Sequence, residues 1–380
     1  MSPLGYVASF AVLAQVFSIW AIRFNRKNSL DASLEDVPDR LRGPGAPSVR
    51  VIVPARNEEA NIAACAKAIL ASDYPNFTLR VVDDASTDRT GEILARLAKE
   101  DPRLVPVAGV PLPPGWLGKN NAVWQASKDA TEDYLLFVDA DLVVSVDAIS
   151  KAVAVAERTR CGLFTMMPEI VALSFWELAA QVLVSRIILV GLGMREVNDP
   201  DHARAGAVGP FLLFARGAYR AIGGHEAVKG DAVEDMRLSM LVKEKRLGLV
   251  FARGVTLAKL RMYDSLGAIV RGWSKNFHVS LGNAFWVAPI AAVLLVLAYG
   301  SPWILVLVTL VVGDLTASAI AGTAFVLALL ARLDLARLYR LPARQPWLEF
   351  PGSLVVGGIL VRSAFRAARK LPFEWKGRDV

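Results

Sequence analysis

The stretch Tyr134-Leu-Leu-Phe-Val-Asp139-Ala-Asp141-Leu decides the fold class of this 380-residue chain. Its first five residues have the length and the apolar, β-rich composition of a buried strand, so Asp139 and Asp141 emerge where that strand ends. Two carboxylates at this spacing can hold a hard divalent cation, and such a cation can hold a diphosphate. The stretch therefore predicts a site for a nucleotide-activated substrate, with Asp139 and Asp141 as metal ligands.

Predicted strands and helices alternate along the chain around this stretch. Such alternation is typical of an α/β domain with a mostly parallel sheet, which binds its ligands at the carboxyl ends of the strands. The strands are predicted at residues 49–54, 79–82, 104–107 and 134–138, and the helices at 57–70, 88–100, 120–130 and 146–158.

The loop after the first predicted strand reads Pro54-Ala-Arg56-Asn57-Glu58-Glu59. Its turn backbone and carboxylates can line a nucleotide site. Asn57 can equally be the N-cap of the next helix, with the glutamates complementing the helix dipole. Both interpretations stay open for this loop alone.

The loop after the second predicted strand reads Asp83-Asp84-Ala-Ser-Thr-Asp88. Asp88 suits the cap of the next helix. Asp83 and Asp84 are not needed for that cap, and a buried carboxylate without a partner is costly. We therefore expect one of the two to accept a hydrogen bond from the base of a nucleotide.

Lys119 lies at a predicted helix start in Pro113-Pro-Gly-Trp-Leu-Gly-Lys119. The helix dipole disfavours a cation there unless an anion is bound nearby, so Lys119 indicates a phosphate. The segment lacks the Walker pattern and is therefore not a P-loop.

A glycine-rich segment, residues 206–224, precedes Glu234-Asp235 at the predicted start of an amphipathic helix. The glycines allow a close approach of the backbone, and we expect Gly209, Phe211 and Glu234 on the acceptor side of the site. Carboxylates in a first helical turn can also act only as dipole partners. The sharper interpretation makes Asp235 a general base within reach of an acceptor hydroxyl.

The segment Arg271-Gly-Trp273-Ser-Lys275 closes the polar part of the chain. Arg271 and Lys275 lie one helical turn apart and can neutralise a leaving diphosphate, while Trp273 is expected on the acceptor side. An ordinary basic, aromatic helix at a membrane interface is the alternative.

Apolar segments at both ends predict a membrane protein. Residues 4–22 carry no formal charge and are long enough to span the hydrocarbon core. Basic residues follow that run, so we expect residues 1–27 to be an uncleaved anchor with its C-terminal side in the cytoplasm, joined by a linker at 28–47. The net charge of +7 clusters beside apolar segments, which favours lipid headgroups over nucleic acid as the partner.

The C-terminal region, residues 284–380, is expected to hold further transmembrane segments, with a break at Gly300-Ser301-Pro302. Residues 347–361 have basic residues on both flanks and are interpreted as re-entrant or interfacial. Residues 164–193 are too polar to span a membrane and too apolar for water, which predicts a helix on the membrane surface.

Several ordered motifs resemble the family 2 glycosyltransferases with a GT-A fold, over about residues 48–280. More narrowly, four segments are similar to the membrane-bound carotenoid-type and hopene-associated members: the Pro113–Lys119 stretch, Gly223-Gly-His225, Arg271-Gly-Trp-Ser-Lys-Asn276 and Trp375-Lys-Gly-Arg378. The ordered motifs are Pro54-Ala-Arg-Asn-Glu58, Asp83-Asp84-Ala-Ser-Thr-Asp88, Gly118-Lys119, Asp139-Ala-Asp141 and Glu234-Asp235.

The resemblance implies an inverting transfer of a sugar from a nucleotide sugar, usually a UDP-sugar, to a lipid acceptor. Asp139 and Asp141 would hold ribose and a Mg²⁺ or Mn²⁺ ion, Asp83 or Asp84 would contact the base, and Asp235 would deprotonate the acceptor hydroxyl. The expected arrangement is a cytoplasmic GT-A domain at residues 48–283 of a multi-pass protein of the cell membrane. The expected nucleotide-sugar ligands are Pro54, Arg56, Glu58, Asp83, Asp84, Lys119, Asp139, Asp141 and Arg271.

One departure from the family pattern bears on the product. Processive members carry Gln-x-x-Arg-Trp near this point, whereas this chain has Arg271-Gly-Trp273 without that glutamine. The departure favours a single transfer. A processive polysaccharide synthase and a non-catalytic membrane scaffold remain as alternatives.

Overall fold

The computed structural model describes residues 1–281, 286–342, 345–369, 371, 374–375 and 378–379, without the side chains of 278–281, 374–375 and 378–379. The chain divides into two compact units. The apolar unit comprises Met1–Asn28, Ile170–Gly193 and Met262–Val380, and the sheet unit comprises Ser29–Glu169 and Met194–Arg261.

The secondary structure follows in chain order, with short 3₁₀ and π segments omitted. The strands are β1 (Leu30–Asp31), β2 (Val49–Ala55), β3 (Phe77–Asp83), β4 (Leu104–Ala108), β5 (Tyr134–Val138), β6 (Leu142–Val144), β7 (Leu163–Met167), β8 (Glu169–Ile170), β9 (Phe211–Ala215), β10 (Leu249–Arg253), β11 (Ala258–Leu260), β12 (Glu374–Trp375) and β13 (Arg378–Asp379). The helices are α1 (Pro3–Lys27), α2 (Ile62–Leu70), α3 (Thr90–Glu100), α4 (Gly118–Ser127), α5 (Ala148–Thr159), α6 (Val182–Gly191), α7 (Met194–Asn198), α8 (Arg216–Ala221), α9 (Glu234–Glu244), α10 (Leu266–Leu281), α11 (Ala288–Leu295), α12 (Pro302–Val312), α13 (Leu315–Tyr339) and α14 (Glu349–Ala368).

The main sheet has eight strands in the order β1-β10-β7-β9-β5-β2-β3-β4. Only β9 among these described strands runs antiparallel to its neighbours, β5 and β7, and the other pairs are parallel. The mostly parallel α/β sheet is therefore confirmed. The carboxyl ends of β2, β3 and β5 meet at one edge, and the register of Val138 opposite Phe211 brings the start of β9 to that edge.

Burial explains why the central strands form where the sequence predicts them. Every residue of β5 is buried, and so are six of the seven residues of β2, because both faces of these strands are covered. In the edge strand β4, Val105, Pro106 and Ala108 are exposed. The apolar run before Asp139 is thus fixed in the middle of the sheet. Asp139 and Asp141 lie just beyond the carboxyl end of β5.

The helix after β2 begins later than predicted. It starts at Ile62, and Asn57 has a φ of 53° in a turn rather than capping a helix. Asn57 tolerates this left-handed backbone conformation better than most residues. The N-cap interpretation of Asn57 is therefore wrong.

Residues 164–193 are not one membrane-surface helix. Residues 163–167 form β7, which is buried throughout between β10 and β9. Residues 177–191 are helical, as a π-helical turn followed by α6. An apolar run of strand length is ambiguous in sequence, and pairing on both edges makes this one a strand.

The apolar unit contains three described helices that are long and apolar enough to cross a membrane: Pro3–Lys27, Leu315–Tyr339 and Pro346–Ala368. The predicted break at Gly300-Ser301-Pro302 separates two helices, Ala288–Gly300 and Pro302–Val312, that are bent by 74°. Residues 347–361 lie within the 23-residue helix Pro346–Ala368, and their interpretation as re-entrant or interfacial stays a prediction. The helix continues beyond residue 361 and ends at Ala368.

The predicted linker at residues 28–47 contributes to the sheet. Its strand β1 pairs in parallel with β10, and Arg253 Nη2 donates a hydrogen bond of 2.9 Å to Asp31 Oδ2. Two short 3₁₀ helices, Ala32–Leu34 and Asp39–Leu41, follow.

Candidate functional site

The loops after β2 and β3 are joined by reciprocal hydrogen bonds. The Asn57 N–H donates to Ser86 Oγ at 3.0 Å, and the Thr87 N–H donates to Asn57 Oδ1 at 2.8 Å. The Glu58 N–H donates to Thr90 Oγ1 at 2.8 Å. Because both loops are tied at several points, their carboxylates are held at the carboxyl edge of the sheet.

The acidic pair after β3 is packed closely. Arg56 Nη1 donates a hydrogen bond of 2.7 Å to the carbonyl oxygen of Asp84. Asp84 is only 5% exposed. Asp83 Oδ1 accepts from the Ser86 N–H at 3.0 Å. A Cβ on Gly109 would lie 2.9 Å from the Asp83 carbonyl oxygen, so only glycine fits beside this pair. Pro54 pairs with Val82 in the β2–β3 register, one residue before Asp83.

Asp139 and Asp141 follow β5 directly, at the same edge. The Asp139 N–H donates to Pro210 O at 3.2 Å, which ties this loop to the start of β9. Burial, and then the charges of Asp139 and Glu58, raise the pKa of Asp141 to about 7. A carboxyl group whose pKa is raised by neighbouring carboxylates lies where a bound cation would be stabilised.

Lys119 links the two acidic motifs. Its Nζ lies 2.8 Å from Asp139 Oδ1 and 2.7 Å from Glu234 Oε1. Burial opposes its charge, but the two carboxylates outweigh burial and raise the pKa of Lys119 well above its usual value. The sequence predicts a phosphate partner for Lys119, and in the structure two carboxylates hold it.

Asp235 lies at the start of α9 and is fixed by the backbone. The Gly209 N–H donates to Asp235 Oδ2 at 2.7 Å, and the Met236 N–H donates to Asp235 Oδ1 at 2.8 Å. A Cβ on Gly209 would lie 3.1 Å from that Oδ2, so glycine allows the close approach. Burial, and then the charge of Glu234, raise the pKa of Asp235 to about 6. A carboxylate with this pKa accepts protons near neutral pH.

Asn120 positions the loop before Glu234, a role that the sequence interpretation missed. Its side chain is buried, and Nδ2 donates to the carbonyl oxygens of Val228 and Asp231 at 2.8 and 3.0 Å. The Leu117 N–H donates to Lys229 O at 2.8 Å. No local sequence pattern indicates these long-range contacts. The position of Asn120 next to Lys119 is the one feature that could have marked it as a site residue.

His225 is a buried structural residue. Tyr219 Oη lies 2.7 Å from His225 Nδ1 and 2.9 Å from Ser127 Oγ. Burial lowers the pKa of His225 to about 3, so the ring stays neutral. A Cβ on Gly224 would lie 2.7 Å from the Tyr219 ring, which explains the glycine before this histidine.

The remaining expected site residues are Phe211, Arg271 and Trp273. Phe211 is fully buried and packs edge-on against Phe164, so its side chain belongs to the core. Arg271 and Trp273 belong to α10 in the apolar unit. There Arg271 is exposed, and Trp273 Nε1 donates to Gln181 Oε1 at 2.8 Å.

Residues 50–222 match the family model described as glycosyl transferase family 2. The match spans β2 through the end of α8 and includes both acidic loops, Lys119, Asp139 and Asp141. This segment is a family 2 glycosyltransferase domain. The match covers less than half of the 380 residues, and the names of relatives and a structural neighbour agree with it: the chain is a glycosyltransferase, and its sheet unit has the GT-A fold.

Two relatives of this glycosyltransferase carry the name 4,4'-diaponeurosporenoate glycosyltransferase. The protein of Staphylococcus aureus strain RF122/ET3-1 is 25% identical over 293 residues, covering 76% of this chain and 74% of that protein. The protein of strain USA300 is 25% identical over 266 residues, covering 69% and 68%. Carotenoid glycosyltransferases are thus among the relatives of this chain.

A solved structure shares the fold of this glycosyltransferase. The mannosyltransferase PcManGT of Pyrobaculum calidifontis, in complex with GDP-Man and Mn²⁺, has a TM-score of 0.57 and 19% identity. The similarity covers 97% of this chain and 99% of that one.

The carboxylates of the glycosyltransferase site suit a divalent cation whose coordination shell is completed by phosphates of the substrate. Within the described residues there is no group of three or more His, Cys, Asp or Glu side chains that could hold a metal ion. Asp139 and Asp141 supply two carboxylates, and Mg²⁺ is commonly held by one or two carboxylates together with substrate phosphates and water. Burial and neighbouring carboxylates raise the pKa of Asp141, so a bound cation would be stabilised at this point.

Proposed function

We propose that this glycosyltransferase is an inverting, non-processive enzyme that moves one sugar from a nucleotide sugar, a UDP-sugar, to the hydroxyl group of a membrane lipid. The observation that carries the proposal is the position of Lys119, in contact with Asp139 at 2.8 Å and with Glu234 at 2.7 Å. Glu234 directly precedes Asp235. The proposed donor carboxylates and the proposed base therefore belong to one connected site.

In this proposal the donor nucleotide lies along the loops after β2 and β3. Asp83 or Asp84 accepts a hydrogen bond from the base, and Arg56 supports the loop through the Asp84 carbonyl oxygen. Asp139 and Asp141 would hold Mg²⁺ or Mn²⁺ with the diphosphate, and such an ion would neutralise charge on the leaving group. Pro54 and Glu58 complete this wall of the site.

Asp235 takes the proton of the acceptor hydroxyl in the transfer step. The hydroxyl oxygen then forms a bond to the anomeric carbon from the face opposite the diphosphate. The bond from that carbon to the diphosphate oxygen breaks, and its electron pair leaves with the diphosphate. The bonds from Gly209 and Met236 fix the direction of the carboxylate, which supports Asp235 in this role.

The apolar unit would insert into the cell membrane as a multi-pass region, with the sheet unit in the cytoplasm. Three long apolar helices and the basic residues around them support this orientation. Within the sheet unit, Gly209 and Glu234 would face the acceptor.

A carboxylate acceptor is the second candidate, favoured by the names of the relatives, since diaponeurosporenoate is the anion of a carboxylic acid. A carboxylate is already ionised near neutral pH and needs no general base. Transfer to it would form a glycosyl ester. Dependence on Asp235 therefore distinguishes the two acceptors.

Transfer by the purified full-length chain tests the proposal. The protein in detergent, with Mn²⁺, a panel of UDP- and GDP-sugars and a lipid extract, should give a lipid that is heavier by one sugar in mass spectrometry. A polymer would contradict single transfer. Nucleotide binding without any product across the panel would support the scaffold alternative instead.

A further inference from the structure

Two arginines and one glutamate are buried together in the apolar unit. Arg186 of α6, Arg332 of α13 and Glu349 of α14 are each at most 1% exposed. Glu349 Oε2 lies 3.0 Å from Arg186 Nη1, and Glu349 Oε1 lies 3.3 Å from Arg332 Nη1. Two guanidinium groups share one carboxylate, so this cluster has a formal charge of +1.

Arg186 has a partner at each of its nitrogens. Nε donates to Ser18 Oγ at 3.1 Å, Nη1 donates to Glu349, and Nη2 donates to Gln15 Oε1. The ring of Tyr299 lies 4.7 Å from the guanidinium carbon. The hydrogen-bonding capacity of Arg186 is therefore used inside the unit.

Arg332 differs, because its Nε and Nη2 are buried and have no hydrogen-bond partner within the described part of the chain. These two atoms form one edge of the guanidinium, which binds a carboxylate or phosphate side-on through two parallel bonds. Arg158 shows this geometry in the same chain, with Nε and Nη2 donating to Glu35 at 2.7 and 2.8 Å. A buried charged edge without a partner is costly.

We propose that Arg332 anchors a binding site for the oxyanion of a membrane lipid, a headgroup phosphate or a carboxylate, bound by its Nε and Nη2. One such anion satisfies both donors and makes the cluster neutral. The proposal requires that the apolar unit be surrounded by lipid or detergent, and it does not depend on transferase activity.

The position of Arg332 along its helix favours a lipid over an ion from bulk water. Arg332 lies about 10 Å along the axis before α13 ends at Tyr339. The ion pair between Arg23 and Asp334, at 2.7 Å, and the exposed Arg337 mark the polar end of this helix. An anionic lipid group near the membrane interface is therefore within about two helical turns of Arg332.

Thermal unfolding of the full-length chain in neutral detergent tests this site. Mixed micelles with phosphatidylglycerol should raise the Tm by at least about 3 °C over micelles with phosphatidylcholine. Arg332→Met should abolish this difference without lowering the Tm in phosphatidylcholine, because Arg186 and Glu349 then form a neutral pair. The matched control Arg337→Met, on the same helix but exposed, should keep the full difference.

Further unfolding measurements distinguish the possible sources of the anion. Palmitate should reproduce the shift if a lipid carboxylate suffices, and inorganic phosphate should not. A full shift with inorganic phosphate alone would overturn the assignment to a lipid. If Arg332→Met does not fold, Arg332→Lys decides, because it keeps the charge and loses the two-donor edge: a reduced shift supports the site, and an unchanged shift contradicts it.

Discussion

The sheet edge and the helix cluster hold opposite excesses of charge. At the sheet edge, Asp139 and Glu234 share Lys119, with Asp141 and Glu58 nearby, so carboxylates outnumber cations. In the apolar unit, Arg186 and Arg332 share Glu349, so cations outnumber carboxylates. Each cluster is partly neutralised by a single residue of the minority charge, and each excess indicates a ligand of the opposite sign.

The two clusters also differ in what holds them. Backbone N–H groups of Gly209 and Met236 fix Asp235 in the sheet unit, whereas in the described part of the apolar unit Arg186 and Arg332 are held by side chains. A site that must direct a reacting oxygen benefits from rigid backbone donors. A site that only binds an anion does not need such rigidity.

The largest expected effect follows from Asp235→Asn, which removes one charge and the proposed base from the acidic cluster. The amide cannot accept the proton, so kcat for transfer to a hydroxyl acceptor should fall about 10²–10⁴-fold. Mass-spectrometric assay of the glycolipid measures this loss. Asp231→Asn, an exposed position in the preceding loop, is the control and should retain activity. Unchanged transfer by Asp235→Asn would indicate a carboxylate acceptor.

The pH dependence of the wild-type enzyme sharpens the same assignment. Asp235 must be ionised to act as a base, and its pKa is about 6. We expect kcat/KM to be constant above that pH and to fall tenfold per pH unit below it. A profile that stays flat down to pH 5 would contradict the role of Asp235.

Lys119→Met should have an intermediate effect, because it removes the cation that the two acidic motifs share. Glu234, whose side chain is 9% exposed, and Asp139 would each lose an ion pair. We expect the free energy of unfolding to fall by about 1–3 kcal/mol in denaturant titrations of the detergent-solubilised protein. Lys128→Met, at the exposed end of the same helix, should change stability little.

The smallest expected effect is a gain in stability from Asp141→Asn without metal. The pKa of Asp141 is raised in the folded chain, so the folded state binds this proton more tightly than the unfolded state. Stability of the wild type in EDTA should therefore rise as the pH falls from about 7 toward 4. At pH 8 the variant should melt roughly 2–4 °C higher. A lower Tm for the variant would show that burial and the neighbouring carboxylates do not destabilise the ionised form of Asp141.

The sequence predicts the parts of the site that depend on local pattern. An apolar run of strand length, followed by acidic residues, is sufficient to place Asp139 and Asp141 at the carboxyl edge of a parallel sheet. The same rule places Asp83 and Asp84 at the carboxyl end of β3. In both places the local composition agrees with the tertiary structure.

Other features depend on contacts between distant segments. The helix after β2 starts late because Asn57 and Glu58 bond to Ser86 and Thr90 instead of beginning a helix. Residues 163–167 become a strand because both neighbours pair with them. The bonds of Asn120 to the loop before Glu234 likewise join residues far apart in the chain. Periodicity and composition carry no information about such partners.

Binding of nucleoside diphosphates to the sheet edge tests the central claim most directly. Calorimetry of the full-length protein with UDP and with GDP, with Mn²⁺ or with EDTA, measures whether the acidic excess recruits a cation and a diphosphate together. We expect wild type to bind one of the two only with Mn²⁺, and Asp141→Asn to bind it more than about 100-fold more weakly, since even groups outside the ligand shell of a metal cost 10–100-fold. Equal affinity of the variant, or equal affinity in EDTA, would contradict the account.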